Sequence, residues 1–392
     1  MVIFRLVTLE IFRVSLYVFT IWQMFEILED IKKLENKKIF LIAGPCSAET
    51  EDQLLDTGHQ LAQSGLVSII RAGVWKPRTR PDSFAGVGEI ALPWLRNLQE
   101  QTGVPVCTEV ASAQHVRQCL SHNIKVLWVG ARTTVNPFLV QEIAEEVAGT
   151  DVKIYVKNPI HADLELWRGA IERFIKVGIK EIGAIHRGFF NAGERVFRNR
   201  PHWQIAIDLK QIFPEIHMIC DPSHMCGRRD ILQAVAQKSL DLQYDGLMIE
   251  SHRSPNDAWS DAEQQITPKQ LENLICSLII RQYDPTDTAA RNALDRMRKR
   301  MDILDDELLH ILSMRMELVR EMGRYKKENN LTILQPERWK EIKNKFQTKA
   351  SELNVSEEFL ARIVRAIHDE SINLQENIFS ETFENKALLS KD

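Results

Sequence analysis

Between Lys38 and Ile266 the chain alternates two patterns. Short apolar runs, at 39–43, 67–71, 106–109, 126–129, 153–157, 181–185, 217–220 and 246–249, read as strands. Between most of them lie amphipathic stretches such as 51–64 and 137–148, with the spacing of surface helices. Eight such alternations over about 230 residues have the count and length of a closed (β/α)8 barrel. A doubly wound open sheet is the alternative on strand count alone.

After Tyr283 the pattern changes. The segment DPTDT (284–288) is turn-rich, and from Ala289 to Glu328 there is no proline and one glycine. Leu294, Met297, Met301, Leu304, Leu308, Ile311, Leu318, Met322 and Tyr325 recur at three- and four-residue steps. That predicts a helix of about 40 residues, roughly 60 Å long. A rod of that length cannot bury its stripe within a domain of about 90 residues, so an interlocked dimer is expected. Two shorter helices are expected to follow, one from about Pro336, well placed at a first turn, and one from Ser356, a good N-cap. Residues beyond Asn377 read as a polar tail. The expected organisation is an extension at 1–35, a barrel at 36–280, a linker at 281–288, a helical domain at 289–380 and a tail at 381–392.

The first 25 residues are apolar but interrupted by Arg5, Glu10 and Arg13. The longest clean run, 14–25, is too short to span a membrane, and no small-residue cleavage site follows it. Three readings stand: a segment outside the fold, with Met24 near the natural start; a docking helix; or a membrane anchor. Composition is that of an ordinary globular protein, 44% hydrophobic and 27% charged. The net charge of −4 removes nucleic acid as the default partner. Six cysteines without CxxC spacing suit a reducing compartment, hence the cytoplasm.

In barrels of this kind chemistry gathers at the C-terminal ends of the strands. Each of the eight runs ends near a polar or reactive residue: Cys46, Arg71 with Lys76, Glu109, Arg132, Lys157, Arg187, Asp221 with His224, and Glu250. Arg71, Lys76, Arg78, Arg132, Lys157 and Arg187 form a cationic ring in a net-negative chain, which suits anionic substrates. Singly, each is an ordinary surface cation; together at one mouth they are a binding site. Cys46, His224, Glu250 and Asp261 are one thiol, one imidazole and two carboxylates, a set that suits Mn²⁺, Fe²⁺, Co²⁺ or Zn²⁺. Spacing alone equally allows a buried thiol and unrelated loop acids.

The segments GPCSAE (44–49), RAGVWKPRTRPDSF (71–84), GARTT (130–134), VKNP (156–159), HRGF (186–189), DPSH (221–224) and IESHRSPNDAWSDAEQQITP (249–268) resemble the type I, β-subgroup 3-deoxy-D-arabino-heptulosonate 7-phosphate (DAHP) synthases. The resemblance covers the whole barrel. It implies condensation of phosphoenolpyruvate with erythrose 4-phosphate at the head of the shikimate pathway. The implied metal ligands are Cys46, His224, Glu250 and Asp261, with Mn²⁺ the first expectation. Phosphoenolpyruvate would lie against Lys76, Arg132, Lys157 and Arg187, with Arg71 helping at the mouth. Arg78 and Thr79 would meet the sugar phosphate, while Asp221 and Glu109 support the metal and the reacting centre. The octulosonate 8-phosphate and sialic acid synthases share barrel and phosphoenolpyruvate, but KPRT and the appended helices argue against both. Cys226 after DPSHM and His161-Ala162 after KNPI depart from the pattern without touching these residues.

On the long predicted helix Arg315 and Lys326 are about three turns apart and face the same way. Arg315 occupies a position where the apolar stripe calls for leucine, and a buried arginine wants an anion. Arg298 lies about 100° round the helix from Arg315, so it is expected to face a different neighbour, the other subunit's pocket. A salt-bridged dimerisation module fits these facts as well as a site does. Residues 289–377, with LDDELLHILSMRMELVREMGRYK (304–326), QPERW (335–339) and DESINLQ (369–375), resemble the all-helical chorismate mutases. That resemblance puts Arg298 from the partner, Arg315, Lys326, Gln335, Arg338, Ser371 and Gln375 at the site. Lys326 and Gln375 would serve the breaking ether oxygen, and Arg298, Arg315 and Ser371 the carboxylates. Gln335 and Trp339 stand where an aspartate and a glutamate are common. The domain is expected to rearrange chorismate to prephenate and to sense one of them as a feedback signal.

Overall fold

The computed structural model describes residues 39–77, 82–282 and 285–389, with side chains as far as residue 380. The N-terminal extension, Arg78 and Thr79, two linker residues and residues 390–392 lie outside the described residues. What is described falls into two compact units divided between residues 283 and 284.

The first unit alternates strands and helices: β1 (Phe40–Gly44), α1 (Glu51–Gln63), β2 (Ile69–Arg71), α2 (Leu92–Thr102), β3 (Val106–Val110), α3 (Ala113–Ser121), β4 (Val126–Val129), α4 (Ala131–Thr134), α5 (Pro137–Val147), β5 (Lys153–Lys157), α6 (Leu164–Lys176), β6 (Glu181–His186), α7 (Trp203–Ile212), β7 (His217–Cys220), α8 (Pro222–Cys226), α9 (Leu232–Asp241), β8 (Gly246–Glu250) and α10 (Pro268–Ser277). The strands pair in sequence order and in parallel, and β8 returns to β1 in the register Phe40↔Gly246 to Gly44↔Glu250. The sheet is therefore a closed eight-stranded barrel, and the open doubly wound alternative is excluded.

Helix starts follow local chemistry. Thr50 accepts from the amide of Gln53 at α1, Asn136 caps α5 ahead of Pro137, and Thr267 with Gln270 closes a capping box on α10. Two apolar layers hold the unit together. The larger lies between sheet and helices, with Trp167, Phe174, Leu95, Leu54 and Phe189 fully buried. The smaller fills the barrel axis with Ile42, Ile69, Cys107, Val126, Trp128, Tyr155, Ile185, Ile219 and Met248.

The second unit contains α11 (Thr288–Glu328, 41 residues), α12 (Pro336–Glu352) and α13 (Glu357–Leu389). Asp287 caps α11 through the amides of Ala289 and Ala290. The last helix is not short: it has 33 residues and passes through the expected polar tail as far as Leu389. Neither glycine nor proline occurs after Ser356, so no residue there stops it. The face that α11 buries within the chain is Val319, Gly323 and Lys326. Met297, Met301, Leu304, Leu308, Ile311 and Leu318 all stay exposed. Among the described residues no helix is long and apolar enough to cross a membrane.

Candidate active sites

The barrel site grows out of strand periodicity. Side chains alternate across a strand, so the residue two places beyond an axial one points the same way. Two places beyond Ile69, Cys107, Tyr155, Ile185, Ile219 and Met248 stand Arg71, Glu109, Lys157, Arg187, Asp221 and Glu250, in the strand or one residue past its end. An apolar floor thus carries a polar ring.

The ring is tightly wired. Lys76 Nζ donates to Cys46 Sγ at 2.7 Å, and that thiol donates to Asp261 Oδ2 at 3.1 Å. Arg71 NH2 lies 3.0 Å from Glu250 Oε1, which is 3.7 Å from His224 Nε2. The ligand atoms of Cys46, Glu250 and Asp261 all fall within 4.8 Å of one another. Asp221 caps α8 by accepting from the His224 amide at 3.1 Å, and takes His224 Nδ1 at 3.0 Å, which leaves Nε2 facing Glu250. Its other oxygen takes Lys157 Nζ at 2.9 Å. Trp128 donates Nε1 to Glu109 at 3.2 Å, and its ring lies under the charged ends of Arg71 and Lys157 at 5.0 and 5.6 Å. A cavity of about 70 Å³ above this wiring is lined by Lys76, Glu109, Arg132, Arg187, Arg198, His224 and Asp261.

Electrostatics follow from burial opposed by neighbours. Burial, with Glu250 and Asp261 nearby, pushes the Cys46 thiol up to about 12, against Lys76 and Arg71. Burial also opposes charge on Asp221, yet His224, Lys157 and Arg71 hold it well below the usual carboxylate range. Asp261 is held low against its burial by Arg198, Lys76 and His224. Burial lowers His224, while Asp221 and Glu250 pull it back. Arg187, buried and near other arginines, falls to about 10.

Every barrel residue singled out from the sequence, apart from the undescribed Arg78 and Thr79, lies in or around this cluster. One expectation needs correcting. Arg71 is not at the mouth but beneath it, fully buried, because its strand ends inside the closed sheet. Its Nε and NH1 have no hydrogen-bonding partner among the described residues. The sequence reading missed Trp128, Asn158, Arg198, Asn199 and Gln264. Asn158 accepts from the Arg187 amide at 2.6 Å, and Asn199 takes Arg187 NH1 at 2.8 Å. The available signal was the stretch 187–202, longer than most connections in a compact domain and therefore suspect as functional.

In the helical unit Arg315 NH1 donates to Ser371 Oγ at 2.8 Å, and Gln375 Nε2 to the Ser371 carbonyl at 3.0 Å. Gln375 is buried and its Oε1 has no partner among the described residues. Lys326 is buried too and donates to the Ile333 carbonyl at 2.7 Å. Burial lowers the pKa of both Arg315 and Lys326. Three expected residues do not join this cluster within one chain. Arg298 is exposed against Asp295, Arg338 is exposed against Glu341, and Gln335 sits exposed before α12.

Residues 20–284 match the family model described as the DAHP synthetase I family, and residues 297–376 match chorismate mutase type II. The chain belongs to the DAHP synthetase I family. Its barrel is a DAHP synthase domain, and the helical unit is a chorismate mutase domain. The phospho-2-dehydro-3-deoxyheptonate aldolase of Thermotoga maritima is 29% identical over 244 residues, covering 62% of this chain and 70% of that protein. A 2-dehydro-3-deoxyphosphooctonate aldolase of Vesicomyosocius okutanii is 23% identical over 286 residues, 70% of this chain and 96% of its own length. The crystal structure of the Thermotoga maritima DAHP synthase superposes with a TM-score of 0.55 at 26% identity, over 61% of this chain and 67% of that one. This family is typically metal-dependent, and the donor set of Cys46, Glu250 and Asp261 fits such an ion.

Proposed function

We propose that the barrel site performs the condensation with the residues its geometry gathers, and that Mn²⁺ is held by Cys46, His224, Glu250 and Asp261. The observation that carries this reading is the convergence of three ligand-type side chains within 4.8 Å under a ring of cations. One soft thiol with one imidazole and two carboxylates suits a first-row divalent ion rather than Mg²⁺ or Ca²⁺. Such an ion, when bound, supplies Lewis-acid polarisation to an aldehyde oxygen.

The protein's own groups do the rest. Lys76, Arg132, Lys157 and Arg187 bind the phosphate and carboxylate of phosphoenolpyruvate, and the unpaired nitrogens of buried Arg71 reinforce them from below. Arg78 and Thr79 bind the phosphate of erythrose 4-phosphate. C3 of the enol then bonds to C1 of the aldehyde, water adds at C2, and inorganic phosphate leaves. Lys157 and Glu109 hold the water and carry its proton. Asp221 keeps Lys157 and His224 in place, with Oδ2 within reach of both side chains and Oδ1 on His224.

In the helical unit catalysis needs no nucleophile, only a pocket that holds chorismate folded and compensates charge on the breaking ether bond. Arg315 and Ser371 hold a carboxylate, while Lys326 and Gln375 serve the ether oxygen. Arg298 reaches the site of a partner subunit in a homodimer, and Arg338 and Gln335 close over the substrate. Two observations support the dimer. The apolar stripe from Met297 to Leu318 is exposed among the described residues. A groove of about 500 Å³ between α12 and α13 combines apolar Trp339, Phe346, Leu360 and Val364 with charged Lys343, Glu357, Arg365 and Asp369. An exposed apolar stripe and a mixed groove of this kind on one molecule suit reciprocal packing. We assign the barrel to 36–280 and the mutase to 289–380, joined by 281–288, and place the enzyme in the cytoplasm, where its six free thiols stay reduced.

Both activities are measured on one preparation, as loss of phosphoenolpyruvate absorbance with erythrose 4-phosphate and as loss of chorismate. A chelator, or Cys46→Ala, abolishes the condensation and spares the rearrangement; Mn²⁺ restores the chelated wild type best among Mn²⁺, Fe²⁺, Co²⁺ and Zn²⁺. Full condensation in metal-stripped protein would overturn the reading.

A further inference from the structure

We propose that Arg198 and Gln264 are positioning residues of the metal site, holding Asp261 and Glu250 by their outer oxygens. The inference rests on the metal reading above. Asp261 turns Oδ2 to Cys46 Sγ, and Glu250 turns Oε1 to Arg71 and His224, which leaves each acid a second oxygen for another partner. Arg198 NH1 donates to the outward Oδ1 of Asp261 at 2.9 Å and also to Gln264 Oε1 at 2.7 Å. Gln264 in turn donates Nε2 to Glu250 Oε2 at 2.7 Å. A single guanidinium nitrogen therefore ties both acids, one directly and one through the amide. Oδ2 of Asp261, which meets Cys46 Sγ, and Oε1 of Glu250, which faces His224 Nε2, are left on the inner side. Asp221 does the same for His224 by taking Nδ1. Outer partners of this kind orient metal ligands and set their basicity.

Asp261 sits in the left-handed region at φ 51°, ψ 38°, uncommon for a non-glycine residue though aspartate is among those that tolerate it. Arg198 itself is fixed by its neighbours. Its amide donates to the Cys226 carbonyl at 3.3 Å, and the Asn199 amide to the Met225 carbonyl at 3.1 Å. The loop bearing Arg198 is thus stitched to the helix bearing His224. Its stem lies over Gly227, where a Cβ would come within 2.6 Å of the Arg198 Cβ. Gln264 is fully buried, so its amide is not free to turn to solvent.

The test is metal affinity on the full chain, by equilibrium dialysis of Mn²⁺ and Co²⁺ and by the thiolate-to-Co²⁺ charge-transfer band. Arg198→Ala and Gln264→Ala are each expected to weaken binding by about 10–100-fold. Arg198→Lys, which keeps a donor on a shorter reach, is expected to fall between. Chorismate conversion and circular dichroism report folding, and if Arg198→Ala fails to fold, Arg198→Lys and Gln264→Ala carry the test. Wild-type affinity for both ions in folded Arg198 and Gln264 variants, with a raised KM for either substrate, would overturn the proposal and make Arg198 a substrate contact. If Cys46→Ala also binds both ions as tightly as wild type, the metal reading has failed instead.

Discussion

At the scale of single residues, titratable groups have been driven into apolar surroundings and then compensated. His186 is the clearest case outside the reaction centre. Burial among Trp167, Phe189, Trp203 and Tyr244 lowers its pKa from 6.5 to about 3, and its Nδ1 shares a hydrogen bond with the Tyr244 hydroxyl at 2.7 Å. Between pH 6.5 and about 3 the unfolded chain takes up a proton that the fold refuses, so stability falls as pH falls. The slope from this one group is about 1.4 kcal/mol per pH unit. Urea unfolding followed by tryptophan fluorescence at pH 7 and pH 5 should show His186→Gln losing less stability on acidification than wild type, by roughly 2 kcal/mol. Equal losses would mean that His186 titrates normally. Which residues reach the barrel site was legible for those fixed by strand period, such as Lys157 and Glu250. Arg198 and Gln264 were not, because they come from loops with no period, and a hydrogen bond between distant loops leaves no trace in spacing.

Elements show the same division. The strands were legible because each is an apolar run of barrel length between helical stretches, and the long helix because nothing in it breaks a three- and four-residue rhythm. The polar tail expected beyond Asn377 is instead helix, because 378–389 holds no glycine or proline and keeps Ile378, Phe379, Phe383 and Leu388 among its polar residues. The junction of β4 and α4 makes a sharper point. A Cβ on Gly130, just past β4, would lie 1.9 Å from Glu109 Oε1, so the carboxylate from β3 occupies the space a side chain there would fill. Gly130→Ala is therefore expected to displace Glu109 and slow the condensation about 10–100-fold, since misplacement by about an ångström costs that much. Chorismate conversion in the same preparation should not change. An alanine variant with wild-type condensation would show that Glu109 can move without cost.

For the whole molecule, the sequence carried both units but not their completeness. The barrel closes on itself, and its polar ring is assembled from one chain. The helical cluster of Arg315, Ser371, Lys326 and Gln375 stops short of Arg298, because the missing neighbour is on another molecule in our reading. Arg298→Ala and Arg315→Ala should each abolish mutase activity and spare the condensation. Mixing the two inactive proteins makes about half the dimers hybrids, each with one site lacking both arginines and one intact. Roughly a quarter of wild-type mutase activity should return if subunits exchange freely. No recovery, with mixed dimers proven by mass spectrometry, would place both arginines in one chain's pocket.

If the exposed stripe on the long helix is where a second subunit completes the mutase site, as we propose, the two activities answer differently to dilution. A site finished within one chain works at the same rate per molecule however thin the solution. A site finished by a second chain obeys mass action and fades as the partners separate. The ratio of chorismate consumed to phosphoenolpyruvate consumed should therefore drop as enzyme is diluted through the dimer's dissociation constant. At high enzyme concentration that ratio becomes constant, so the amount of enzyme sets the balance of the two reactions only near and below the dissociation constant.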